Sequence, residues 1–201
     1  MKKRSISLLL NILIIILEII GFAVSYNNMH RIGIEYFTEE SNLLALICSI
    51  IFVIYLIKNK TIPKWLNEFK YITNINLAIT FLVVLFILIP MDNFSYKKYL
   101  LDGTMKYHHL ICPLLSICSF IFFDRLKKYN MKDLLIGLIV TFIYAIVMII
   151  LNILGSIIGP YPFLMVKNQS VLMSTIWALT ILSFSFLIAL LLMKLHSKYN
   201  N

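Results

Sequence analysis

The chain has 201 residues, of which 61% are hydrophobic and only 13% charged, with a mean hydropathy of +0.91. Soluble domains carry roughly 25% charged residues, so a soluble enzyme or a nucleic-acid-binding domain is excluded and an integral membrane protein is read instead. The formal net charge of +9 is therefore assigned to topology and to anionic lipid headgroups, not to nucleic acid.

A spanning helix needs about 20 mostly apolar residues. Six segments qualify, at 5–26, 38–57, 70–91, 107–124, 133–158 and 170–193. The expected fold is all-α: one polytopic bundle of six transmembrane helices filling residues 1–201, with an even number of spans and both termini on one side. Basic residues choose that side. They gather before the first helix (Lys2, Lys3, Arg4), between the second and third (Lys58, Lys60, Lys64, Lys70), between the fourth and fifth (Arg125, Lys127, Lys128, Lys132) and after the sixth (Lys194, Lys198). The other loops hold fewer, so both termini are expected to be cytoplasmic. The location is a cell membrane, with a bacterial plasma membrane the natural one.

The first segment has a basic start and Ala23-Val24-Ser25, a faint cleavage site. Its apolar stretch is too long for an ordinary signal peptide, so it is kept as a helix. Glu18 inside it is either a carboxyl hydrogen-bonded within the bundle or part of a site. The second helix opens with Tyr36-Phe37-Thr38-Glu39-Glu40-Ser41-Asn42. Thr38 reads as an N-cap with acids in the first turn, where the helix dipole favours them. Yet Thr38, Ser41, Asn42, Ala45 and Ser49 also form a small, polar stripe at helical spacing, of the kind that faces other helices in lipid.

The fourth helix opens with His108 and His109. Adjacent residues on a helix diverge by about 100°. From His109 helical spacing reaches Cys112, Ser116 and Ser119; from His108 it reaches Ile111, Leu115 and Phe122. His109 is therefore turned toward the bundle, and His108 toward the headgroups. Pro113 falls in the first turns, where a missing amide does least damage. The fifth helix carries Tyr144 and Asn152. The loop after it, Gly159-Pro160-Tyr161-Pro162-Phe163-Leu164, is an interfacial aromatic anchor or a lid over a site. Asn168-Gln169-Ser170 fits a glycosylation sequon. Cys48, Cys112 and Cys118 lie in apolar segments and read as packing residues, not a disulfide framework.

The topology gathers Thr38, Ser41, Asn42, His109, Asn152 and the Tyr161–Phe163 loop at one outer pocket, while the inner half reads as nearly all aliphatic. A hydroxyl beside a histidine is the minimum for nucleophilic acyl chemistry. Free amides at a helix start can hold an oxyanion, Asn42 or Asn152 can add a donor, and Glu39 or Glu40 can orient the imidazole. Depth opposes this. Counted back from Asp124, His109 lies about 22 Å along its helix, a turn or more deeper than Thr38. Ser41 and Asn42 match it better, unless helix tilt of about 20° closes the gap. A metal site is disfavoured because adjacent histidines do not converge; no metal and no cofactor is expected.

Three motifs in order carry a resemblance: Tyr36-Phe37-Thr38 with Ser41-Asn42-Leu43-Leu44, His109 ahead of Pro113, and Tyr161-Pro162-Phe163-Leu164. Together they resemble the androgen-induced (FAR-17a/AIG1-like) membrane proteins, and more closely their bacterial Pr6Pr-type branch. Animal members hydrolyse fatty acid esters of hydroxy fatty acids with a threonine and a histidine. The resemblance thus implies Thr38 as nucleophile and His109 as base, with His108 a rival because the His-to-Pro spacing differs by one between branches. Membrane lipids and a lipid-like substrate are the implied partners. The alternative is a non-enzymatic small transporter or lipid-binding protein, with Glu18 and His109 as a proton-linked pair.

Overall fold

In the computed structural model, which describes residues 2–31 and 33–200, every regular element is helical. Among the described residues five helices are long and apolar enough to cross a membrane: α1 (Lys2–Met29), α2 (Phe37–Ile57), α3 (Lys64–Met91), α5 (Met131–Leu154) and α6 (Val171–Tyr199). The remaining apolar helix, α4 (Lys106–Phe122), is shorter. A short helix, Tyr96–Leu100, lies in the α3–α4 loop.

Several boundaries differ from the sequence reading. α3 begins at Lys64, not residue 70, so Lys70 is a helical residue within the bundle, not a loop cation. α5 begins at Met131, because Asn130 and Asp133 close a capping box ahead of it. It ends at Leu154, where Gly155 takes the left-handed conformation with φ 79°. α6 is capped by Ser170, whose side chain accepts from the Met173 amide.

Two helices carry a π-helical turn, and each turn lies just ahead of a proline: Val84–Leu88 before Pro90, and Lys106–Ile111 before Pro113. Proline offers no amide and its ring crowds the carbonyl four residues earlier, so the ladder widens there. Pro113 thus acts well inside α4 and reshapes its first turn.

α1 to α4 pack against one another, and α5 and α6 lie against α3. α1 buries a single stripe, Ser7, Asn11, Ile14, Glu18, Gly21 and Ser25, at alternating spacings of three and four. Such a stripe suits a helix seam in lipid, where small and polar side chains let backbones approach. Gly21 is needed there, since a Cβ would run into the His108 imidazole.

The half of the bundle away from Thr38 is not aliphatic. Lys70 is 1% exposed and Asp124 0%. Lys70 Nζ lies 3.6 Å from Asp124 Oδ2 and donates to Asn11 Oδ1 at 2.5 Å. Ser7 and Ser119 donate to Asp124 Oδ1 at 2.5 and 2.8 Å. A buried charge survives only with such partners.

A candidate catalytic dyad between two cavities

The first turn of α2 sits against the π turn of α4. Thr38 Oγ1 and His109 Nε2 are 3.1 Å apart, and both residues are buried. The depth mismatch disappears because Asp124 is no boundary marker. It lies inside the bundle, so a count starting there places His109 too deep.

The hydrogen bonds fix the tautomer. His109 Nδ1 lies 2.8 Å from the Tyr99 carbonyl oxygen. A carbonyl only accepts, so Nδ1 carries the proton, and Nε2 presents a lone pair to the Thr38 hydroxyl. No sequence signal marks Tyr99 here, because it acts through its backbone.

Thr38 is not the N-cap. That position belongs to Tyr36, which makes no side-chain cap. Two tyrosines cap the helix from outside. The Phe37 amide donates to Tyr144 Oη at 3.1 Å, and the Thr38 amide to Tyr161 Oη at 3.3 Å. Tyr144 passes its own proton to the Glu35 carbonyl at 2.7 Å. These amides are therefore occupied and not free for an oxyanion. Tyr161 Oη also lies 3.3 Å from Thr38 Oγ1. Burial pushes its phenol up to about 12, so it keeps its proton at ordinary pH.

His108 is turned inward, not toward the headgroups. It is fully buried, with Nδ1 3.2 Å from Glu39 Oε1 and Nε2 3.6 Å from Glu18 Oε2. Its ring packs on Phe22 with centroids 4.7 Å apart. The π turn explains the departure, since its wider spacing replaces the α-helical angle that separated the two histidines. Glu18 thus partners His108 and not His109, and Glu39 orients His108. Glu40 makes neither contact.

Ser41 and Asn42 lie beneath the dyad. Ser41 donates to the Thr38 carbonyl at 3.0 Å and contacts Thr80 Oγ1 at 2.9 Å. Asn42 donates to the carbonyls of Thr38 at 2.7 Å and His108 at 3.1 Å, tying α2 to α4. The Ser41 hydroxyl and the Asn42 amide nitrogen serve as supports, while Asn42 Oδ1 has no hydrogen-bond partner among the described residues. The hydrogen bonds of Asn152 go elsewhere. It donates to the Ile157 and Ile158 carbonyls and accepts from the Lys167 amide, pinning the loop that carries Tyr161.

Two cavities meet here. An apolar groove of about 1000 Å³, including its open mouth, runs between α3, α5 and α6, with Val83, Ile149, Phe163, Trp177 and Ile181 among its walls. A more polar vestibule of about 860 Å³, measured likewise, is lined by Glu39, Lys98, Tyr99, Thr104, His108 and His109. Thr38, Leu88 and Tyr161 line both. Phe163 stacks on Tyr161, centroids 5.2 Å apart, so the aromatic loop forms one wall of the junction. Among the described residues no cluster of three or more potential metal ligands occurs.

No family model, curated protein or solved structure matches the chain.

Proposed function

We propose that the chain is a membrane-embedded hydrolase of lipid esters, with Thr38 as nucleophile and His109 as general base. One observation carries the reading: a hydroxyl aimed at an imidazole nitrogen whose tautomer is fixed, at the junction of an apolar groove and a polar vestibule. They are also the two residues that the resemblance to the androgen-induced family implies. In this reading the bundle makes six spans with both termini cytoplasmic, in a plasma membrane of bacterial type, and the dyad serves the outer leaflet.

The acyl chain lies in the groove and the ester carbonyl at the junction. His109 Nε2 takes the Thr38 proton as Oγ1 bonds to the carbonyl carbon. The carbonyl oxygen becomes an oxyanion, and Tyr161 turns its hydroxyl proton to it. Collapse breaks the bond to the alcohol oxygen, which receives the proton from His109. Water, deprotonated by the same imidazole, adds to the acyl carbon; the bond to Oγ1 breaks, Oγ1 takes the proton back from His109, and the acid leaves.

A fluorophosphonate probe tests the nucleophile. Peptide mass analysis of the purified, labelled protein is expected to place the adduct on Thr38 and to find none in His109→Ala. Labelling elsewhere, or labelling unaffected by His109→Ala, counts against the reading. The buried Lys70–Asp124 cluster favours a second reading, a non-enzymatic lipid-binding or transport protein, because it puts polar groups in the other half of the bundle. Persistent failure to label Thr38 would favour it.

A further inference from the structure

One residue of the vestibule wall carries a buried acceptor without a partner among the described residues. Glu39 lines the vestibule and is 4% exposed. Its Oε1 accepts from Ser25 Oγ at 3.1 Å and from His108 Nδ1 at 3.2 Å. Its Oε2 has no hydrogen-bond partner among the described residues. The proton on His108 Nδ1 is fixed by a second contact. Thr104 Oγ1 donates to the Gly21 carbonyl, so its oxygen, 3.3 Å from Nδ1, faces that nitrogen as an acceptor. Glu39 is thus held from behind by two donors, with Oε2 left over.

Buried acceptors without donors are costly, and a ligand group that fills one is recognised by it. The lysine lining the vestibule, Lys98, is already paired with Asp92 at 2.7 Å. A carboxylate on the alcohol side of an ester would therefore meet Glu39 without a free lysine to hold it. A neutral hydroxyl suits Glu39 without adding a cation beside Lys98.

We infer that the alcohol side of the substrate carries a free hydroxyl, as in an acyl ester of a polyol, and that Glu39 Oε2 accepts from it. The inference rests on the ester-hydrolase reading and narrows it to polyol esters such as monoacylglycerols, away from esters of hydroxy fatty acids.

The test uses the full chain, purified in lipid nanodiscs. A long-chain p-nitrophenyl ester first reports hydrolysis itself. Then kcat/KM is compared for a 1-monoacylglycerol, the methyl ester of the same acid and an ester of a hydroxy fatty acid. The monoacylglycerol is expected to exceed the methyl ester by about 10- to 100-fold. In Glu39→Gln that ratio is expected to fall several-fold. Two donors hold Oε1 in place, so the neutral amide nitrogen takes the position of Oε2, and a charge-assisted hydrogen bond gives way to a weaker one that the substrate hydroxyl accepts. The ratio is independent of how much variant protein folds. Hydrolysis of the chromogenic ester with no preference for the monoacylglycerol overturns the inference and leaves the reading standing. So does a preference for the hydroxy fatty acid ester, or an unchanged ratio in Glu39→Gln. Hydrolysis of none of these esters overturns both.

Discussion

His108 and His109 are neighbours in sequence with different work. His109 holds one proton on the Tyr99 carbonyl and offers a lone pair to Thr38. His108 is clamped between Glu18 and Glu39. Removing this fully buried imidazole takes a donor from Glu39 Oε1 and opens a cavity, at a cost of about 2–5 kcal/mol. His108→Ala is therefore expected to act first on stability, seen as a large fall in the thermal unfolding midpoint in detergent, whereas His109→Ala, beside the vestibule where water can replace its contacts, lowers hydrolysis with a smaller fall in melting. Equal melting of the two variants would contradict this division. Thr38 and His109 stand out at this scale as a hydroxyl and a base at two helix starts on one side, but their pairing comes from the resemblance, since the depth count favours Ser41 and Asn42. Tyr99 does not stand out, since a backbone carbonyl leaves no mark on the sequence. Nor does the role of Asn42, whose polar stripe is consistent equally with binding a ligand and with tying two helices together.

At the scale of the helix, the outward placement of His108 failed because an angle of about 100° per residue was carried through a segment that is not α-helical. Pro113 was the available signal. It was read as harmless near a helix start, yet the π turn lies immediately before it, as another does before Pro90. The stripe on α1 was also present in the sequence. Glu18 was noticed, but Ser7, Asn11, Gly21 and Ser25 share its spacing and were not. Gly21 gives this stripe a test. Any side chain there meets His108, so Gly21→Leu is expected to destabilise the protein by about 1–3 kcal/mol. It is also expected to reduce hydrolysis by displacing the π turn. Unfolding curves and rates indistinguishable from wild type would show that α1 and α4 do not pack as described.

Across the whole molecule, polar burial extends through both halves. The Thr38 end holds the dyad and the Glu18–His108–Glu39 set; the other holds Lys70, Asp124, Asn11, Ser7 and Ser119. The sequence hides the second cluster, because its pattern puts Lys70 in a loop and Asp124 at the end of a span. Both are interior residues of one buried cluster, 3.6 Å apart, with Lys70 donating to Asn11. Asp124→Ala is expected to cost about 3–5 kcal/mol by stranding Lys70, read by thermal unfolding, while labelling of Thr38 in the fraction that remains folded stays intact. Loss of labelling without loss of stability would mean that the cluster takes part in the chemistry. The two cavities belong to this scale too. The groove is built from α3 and from the consecutive α5, Tyr161 loop and α6; the topology places the loop near Thr38, and the packing of α5 and α6 against α3 adds the apolar walls.

The central claim is that Thr38 and His109 act together on a lipid ester. Its most direct measurement is the rate of hydrolysis of a long-chain ester by purified protein in nanodiscs, for wild type, Thr38→Ala, His109→Ala and the double variant. The account predicts turnover by wild type, loss of at least about 1000-fold in each single variant, and no further loss in the double, because residues acting as a unit are not additive. Wild-type protein inactive on a broad ester panel, or single variants that retain their rates, would contradict it.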